Sequence, residues 1–371
     1  MSDEIPMEII KVVHRRKHFQ RQFRKIEEKA KNFPGYLKSW ATSFTGGLTI
    51  ACLIIIAIMP FISSDSSYRY VFIPTFTYFF IFAIFAASWD LLTGISGQIS
   101  FGHSIFFGIS GYITAYLIKY HTFSIWVALI IGVMGAVIAG FLIGVPCLRL
   151  KGPYLALGTL AISLILLKLF LLGSLEPWFF GSEGISGLKV GVFRQPLAQY
   201  FVVFIIMIIS FIIIIQISKS NLGTVFKSIR DDETGAEASG INTTKYKVIA
   251  FMISALFAGL AGGLYALYIT AVNPVGNYGT TISFFAILMA SLGGLTTIKG
   301  SALGAFFFVF LEYALIEIGV INFGAFSFDV GIWKFAIFAV ILMVVVRFAE
   351  RGILQPILER LKDLWDVLLG R

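Results

Sequence analysis

Charge is what this chain has least of. Only 13% of its 371 residues are Asp, Glu, Lys or Arg and 58% are hydrophobic, against about 25% charged in a soluble domain. An ordinary water-soluble fold is excluded and a polytopic membrane protein is implied. Cysteine is nearly absent. Cys52 and Cys147 lie in or beside apolar runs, at no metal-ligand spacing, so neither a disulfide framework nor a metal site is expected. Also missing are paired carboxylates, a Ser/His/Asp grouping, and a phosphate-binding glycine loop ending in Lys-Ser/Thr, so no enzyme is expected. His14, His18 and His121 stand at span boundaries, where solvation accounts for them. The first apolar run starts near Phe44, after a basic stretch, and no cleavable signal peptide is visible. The net charge of +9 would suit nucleic acid, but the basic residues gather at membrane boundaries, so no nucleic-acid partner is expected.

What the chain does have is a succession of apolar runs. Ten spans fit, at 44–62, 71–92, 105–119, 124–145, 154–172, 199–217, 248–270, 281–295, 301–319 and 332–347. Each reaches across the roughly 30 Å of hydrocarbon or part of it. The third and eighth are short, and both adjoin glycine-rich segments. The expected fold is all-α, with about ten transmembrane helices and broken or re-entrant segments. With the N-terminus inside, 23 of the 29 Lys and Arg fall on the cytoplasmic side and five on the outer side, a strong positive-inside bias. Both termini are then cytoplasmic.

Three regions follow. Residues 1–43 carry ten Lys and Arg and read either as a surface helix drawn by anionic lipid or as a poorly ordered tail. Residues 44–347 are the transmembrane domain. Residues 348–371 carry an apolar stripe of Ile353, Leu354, Ile357, Leu358, Leu361, Leu364 and Trp365, expected as an amphipathic helix on the inner surface or against a partner.

The longest polar interruption is 218–247. Val225, Phe226 and Ile229 continue a helical period from the preceding span. Asp231 and Asp232 offer N-cap oxygens for a new short helix, Glu233 suits its first turn, and Gly240 can close it with a left-handed cap. A helix over about Asp232–Ser239 with small side chains at Gly235, Ala236, Ala238 and Ser239 suits docking into another protein's groove. It equally suits a solvated loop with no partner.

Two glycine segments interrupt the apolar pattern. Between Leu91 and Ser104 stand Gly94, Gly97 and Gly102, with Gln98, Ser100 and His103 among them. Such a segment cannot face lipid, since its backbone polar groups need protein or water partners. A broken helix lining a pathway answers that need; close packing through small residues is the alternative. The second segment, Ser291 to Phe306, includes Gly293, Gly294, Gly300 and Gly304 and resembles the first. Glu312, near the middle of the ninth span, is either a pathway group or an interhelical hydrogen-bonding group. Asp90 reads as an interfacial anchor. The outer loop 173–198 is glycine-rich and serves either as a docking surface or as an irregular connection.

Taken together, these stretches resemble a known family. Gly97-Gln-Ile-Ser-Phe-Gly-His-Ser-Ile-Phe-Phe-Gly-Ile-Ser-Gly-Tyr112 is similar to the early motif of branched-chain amino acid ABC importer permeases, more narrowly the LivM-type subunit. Ser228 to Gly263 and Leu292 to Gly304 are similar to that family's cytoplasmic loop with its following helix and to its later glycine segment. The resemblance covers about 75–350. It implies that Arg230 to Gly240 is a coupling helix seated in a cytoplasmic ATPase, with Glu237-Ala238 and Gly240 as the Glu-Ala-x-Gly signature. It implies a complex of two homologous permeases, two ATPases and an external substrate-binding protein, in the cytoplasmic (inner) membrane. ATP and Mg would be bound by the ATPases and no cofactor by this chain. The substrates implied are Leu, Ile, Val or related amino acids; urea or short-amide permeases look similar. A proton-coupled secondary transporter using Glu312 is the reading from another class. Thr296-Thr297-Ile298-Lys299 departs from the family's usual Gly-Thr-aromatic run, and the basic N-terminus is longer than the family core needs.

Overall fold

The computed structural model describes residues 44–62, 66–147, 150, 152–323, 326–348, 352–354, 356 and 359–360. The expectations for 1–43 and for most of 348–371 lie outside these residues. Helix α1 (Phe44–Ile62) belongs to one compact unit, and the elements from Ser66 onward belong to a second.

The second unit is helical because apolar segments in lipid must satisfy their backbone internally. Its long helices are α2 (Ser66–Asp90), α3 (Ser104–His121), α4 (Ile125–Cys147) and α5 (Pro153–Phe170). After a short α6 (Glu176–Phe179) come α7 (Pro196–Lys219), α8 (Asn221–Asp231), α9 (Glu233–Ala238) and α10 (Thr243–Ile269). Then follow α11 (Pro274–Tyr278), α12 (Thr280–Gly293), α13 (Ile298–Ile318) and α14 (Val330–Phe348). Among the described residues seven helical stretches are long and apolar enough to cross a membrane: 71–95, 125–147, 153–170, 196–219, 243–269, 274–293 and 298–318. The protein is thus an all-α polytopic membrane protein. Helices also occupy 44–62, 104–121 and 330–348, where further spans were expected.

α2 is the central element. Every residue from Phe80 to Leu92 is at most 3% exposed, which is why this helix is apolar all round rather than on one stripe. Helices α7, α10, α12 and α13 pack around it. Beside this core, α3, α4 and α10 cross on small residues. A Cβ at Gly259 would strike the Ala136 side chain, and one at Gly262 the Phe107 carbonyl. At Gly140 it would come within 2.7 Å of the Ala255 Cβ. In lipid, such close backbone approach replaces the hydrophobic drive for helix association.

At the end of the bundle remote from 218–247, two short strands pair antiparallel: β1 (Ile185–Ser186) with β2 (Ala271–Val272). Lys119 Nζ donates to the Ser186 carbonyl at 3.0 Å and Leu188 N to the Thr270 carbonyl at 3.2 Å. The long loop 173–198 is therefore pinned across the ends of α3 and α10. A second antiparallel pair, β3 (Val320–Phe323) with β4 (Phe326–Asp329), joins α13 to α14.

Candidate functional site

The polar segment folds largely as its side chains dictate. Asp232 caps α9 by accepting from Gly235 N at 3.0 Å. At the other end Gly240 takes φ +83°, Gly240 N donates to the Glu237 carbonyl at 2.9 Å and Ile241 N to the Ala236 carbonyl at 3.0 Å. This pair of bonds is the Schellman closure that a left-handed glycine permits. The expected continuation of the preceding span is corrected: the helix stops at Lys219, and α8 starts anew with Ser220 as its N-cap, because the Ser220 hydroxyl offers Gly223 N a partner. α9 is held to its own chain by Lys247 Nζ on Glu233 Oε2 at 2.6 Å and Thr243 Oγ1 donating to Glu237 Oε1 at 2.6 Å. Of the small side chains, Ala236 is buried within the chain and Ala238 is exposed.

The first glycine segment is broken as expected. α2 passes into one π-helical turn, Leu91–Ile95, and α3 begins only at Ser104; such wider turns often mark functional sites. A Cβ at Gly94 would collide with the Asp90 carboxylate and lie 2.8 Å from Thr296 N. Gly97, at φ +73°, faces Arg230, whose Cγ would stand 2.7 Å from an added Cβ. Arg230 Nη1 donates to the Gly94 carbonyl at 2.9 Å, while its Nε and Nη2 bind Asp231 Oδ1 at 2.9 and 2.8 Å. The polar segment is thereby bonded to the break.

Asp90 joins the second glycine segment to the first. Its Oδ1 accepts from Thr296 N at 2.8 Å and its Oδ2 from the Ser301 hydroxyl at 3.3 Å. Thr296 holds φ +69°, which is strained for a β-branched residue. Asp90 is 0% exposed; the expected interfacial anchor is instead an interior group beside the first break, held by two polar partners from the second. On the far side of the second break, Ile353 N donates to the Leu292 carbonyl at 3.0 Å.

The remaining residues singled out in the first segment are buried. Gln98 Nε2 donates to the Ser96 carbonyl at 3.1 Å, and the Ser100 carbonyl accepts from Trp89 Nε1 at 2.7 Å. Gly102 abuts the Thr159 carbonyl, leaving no space for a Cβ. Ser88 Oγ donates to the Phe85 carbonyl at 2.6 Å and meets His103 Nε2 at 2.8 Å. With its single hydrogen committed to the Phe85 carbonyl, Ser88 accepts there and His103 donates from Nε2. Ser104 N donates to Ser283 Oγ at 2.8 Å, and Ser104 Oγ shares a hydrogen bond with Ser163 Oγ at 3.0 Å. Ser254 Oγ donates to the Ser88 carbonyl at 2.7 Å. A polar seam thus runs from α2 through 98–104 to α5, α10 and α12. Gly293 and Gly294 are buried at the end of α12, where Gly293 abuts the Gly300 carbonyl. Glu312 is half-buried on α13, away from this node.

Sequence reasoning brought Gly94, Gly97 and Arg230 to notice and the fold brings them together. It read Asp90 as an anchor and missed its joining role, whose signal was an acid ending a long apolar helix directly before a glycine break. It also missed Ser88, Thr159, Ser254 and Ser283, which carry no pattern of their own.

The family profile described as "Branched-chain amino acid transport system / permease component" matches residues 71–346. The chain belongs to this permease family. It is 29% identical over 305 residues to the high-affinity branched-chain amino acid transport system permease protein LivM of Escherichia coli (strain K12), covering 73% of this chain and 70% of that protein. It is 27% identical over 247 residues to the probable branched-chain amino acid transport permease protein LivM of Methanocaldococcus jannaschii, covering 62% and 70%. It is 24% identical over 241 residues to the permease protein LivH of the Salmonella typhimurium high-affinity system, covering 60% and 78%. No solved structure matches the chain. The glycine breaks, the polar segment and the Asp90 node all lie inside the family's matched region.

Proposed function

We propose that this chain is a membrane-spanning subunit of an ATP-binding-cassette importer for branched-chain or related amino acids, and that 218–247 is its coupling element. One observation carries the reading: Arg230, at the end of α8, donates to the Gly94 carbonyl at the break in the central helix. A push on α8 and α9 from an ATPase reaches α2 through Arg230, and reaches α13 through Asp90 and Thr296. The names of the related permeases support amino acids as the cargo. In this reading the chain has ten spans and lies in the inner membrane with both termini and 218–247 in the cytoplasm, as the Lys/Arg bias favours. Its partners are a homologous second permease, two ATPases that bind ATP and Mg, an external binding protein and the lipid around it.

The exposed Ala238 and Gly240 are the surface offered to the ATPase, while Asp231, Asp232 and Glu233 hold the shape of the loop. Glu237, exposed beside Ala238, accepts from Thr243 on one carboxylate oxygen and offers the other to the partner. Gly94, Gly97, Gln98, Ser100, Gly102, His103, Ser104, Gly293 and Gly294 belong to the moving breaks and the polar seam beside the pathway. The test is co-purification with the ATPase, followed by ligand identification and uptake of leucine. Uptake that needs the ATPase and ATP supports the reading. Uptake by the chain alone, driven by a proton gradient, replaces it with secondary transport.

A further inference from the structure

Glu312 lies on the inward stripe of α13 formed by Ser301, Ala305, Phe308 and Leu315, all buried. It stands eleven residues beyond Ser301, about 16 Å along the helix at 1.5 Å per residue. Two other helices carry tyrosines to the same depth. On α2, Tyr78 is twelve residues from Asp90, about 18 Å along the axis, and Asp90 is bonded to Ser301. On α10, Tyr265 is eleven residues from Ser254, whose hydroxyl binds the Ser88 carbonyl of α2.

The rings of Tyr78 and Tyr265 are 6.3 Å apart, as are those of Tyr78 and Tyr268. Tyr268 Oη is fixed by donation to the Pro74 carbonyl at 3.2 Å. Phe76 of α2 and Phe310 of α13 pack with ring centroids 5.0 Å apart, which sets the Tyr78 and Glu312 levels of the two helices side by side. All four residues are partly exposed, at a depth where phenylalanines otherwise fill the core. Phe82 and Phe107 continue the wall, at 5.9 and 5.2 Å from the Tyr265 ring.

From this arrangement we infer that Glu312, Tyr78, Tyr265 and Tyr268 form a mid-membrane site for the ammonium group of a zwitterionic amino acid with an apolar side chain. A carboxylate and tyrosine faces attract a cation. The Tyr78 and Tyr265 hydroxyls supply donors for the substrate carboxylate, and Phe82 and Phe107, buried behind Tyr265, make the backing of the site apolar. A neutral cargo such as urea gains little from Glu312. The inference rests on the importer reading.

The test measures leucine moved per ATP hydrolysed by the complete complex in proteoliposomes, for wild type, Glu312→Gln, Glu312→Asp and Tyr78→Phe. Loss of one charge-assisted contact predicts that Glu312→Gln lowers this ratio about tenfold. Glu312→Asp should recover part of it, and Tyr78→Phe should lower it about threefold. Should Glu312→Gln fail to assemble, Tyr78→Phe decides alone. Wild-type ratios in the assembled variants overturn the site and leave the importer reading standing. A fall in wild-type uptake on collapsing the proton gradient, with ATP present, makes Glu312 a proton carrier and also overturns the site. A wild-type complex whose ATP hydrolysis ignores leucine-loaded binding protein instead removes the importer reading, and the site with it.

Discussion

Replacing Asp90 by alanine is the sharpest perturbation of the node. The substitution removes the acceptor of Thr296 N at 2.8 Å and of the Ser301 hydroxyl at 3.3 Å. A hydrogen bond to a charged group contributes about 1.5–3 kcal/mol, and the stranded donor is hard to satisfy in a dry interior. The 3.3 Å contact adds less, and water entering the space left by the carboxylate recovers part. The net loss is about 2 kcal/mol, a fall of about 4–8 °C in Tm if the unit melts like a soluble domain of 150–250 residues. Thr296, freed from a strained φ of +69°, should relax, and the second break should disconnect from the first. Coupling should then suffer more than stability. The assay is thermal unfolding of the purified complex together with ATP hydrolysis stimulated by loaded binding protein. Asp90→Asn is the control: its amide oxygen can still accept from Thr296 and its amide nitrogen can donate to Ser301, so it should retain most of both properties. If Asp90→Ala keeps both the wild-type Tm and wild-type stimulation, Asp90 does not join the breaks.

Further outcomes follow from the same geometry. Arg230→Ala removes the bond to the Gly94 carbonyl and should leave the complex assembled with substrate-stimulated hydrolysis reduced by at least about tenfold; stimulation equal to wild type contradicts the link. Ala238→Trp adds bulk on the exposed face and should weaken ATPase pull-down, whereas Ala236→Trp adds it inside the chain and should lower expression or stability first; intact pull-down by Ala238→Trp removes this face from the interface. For topology, single cysteines in a cysteine-free background at 183 and 227 should react with an impermeant reagent on intact cells only at 183. Reaction at 227 alone inverts the chain.

The helix ends of the polar segment were legible because caps are local. Asp232 and Gly240 each act on backbone a few residues away, and both do what their chemistry suggests. The break at 91–103 was legible for the same reason, since glycines beside polar residues cannot continue a lipid-facing helix. The partners of those residues were not. Asp90 and Thr296 are 206 positions apart, and nothing in either neighbourhood announces the pairing. Gly102 illustrates how one signal serves two ends: a glycine that could line open space in fact lets the Thr159 carbonyl pack against the chain. Small residues on α9 read as one docking face, but a six-residue helix has an inner side too, and Ala236 occupies it. Asn242, which lies just beyond that helix, caps the next one by accepting from Lys245 N at 3.0 Å. The two-residue strands β1 and β2 are too short to show any alternation.

Transport powered through 218–247 is the central claim. The measurement that bears on it most directly is leucine uptake into proteoliposomes holding the wild-type chain with its second permease, ATPases and binding protein, with ATP and a proton gradient supplied separately. Uptake is predicted with ATP alone, and none with the gradient alone. Uptake under the gradient without ATP, undiminished when the ATPases are left out, would contradict the account.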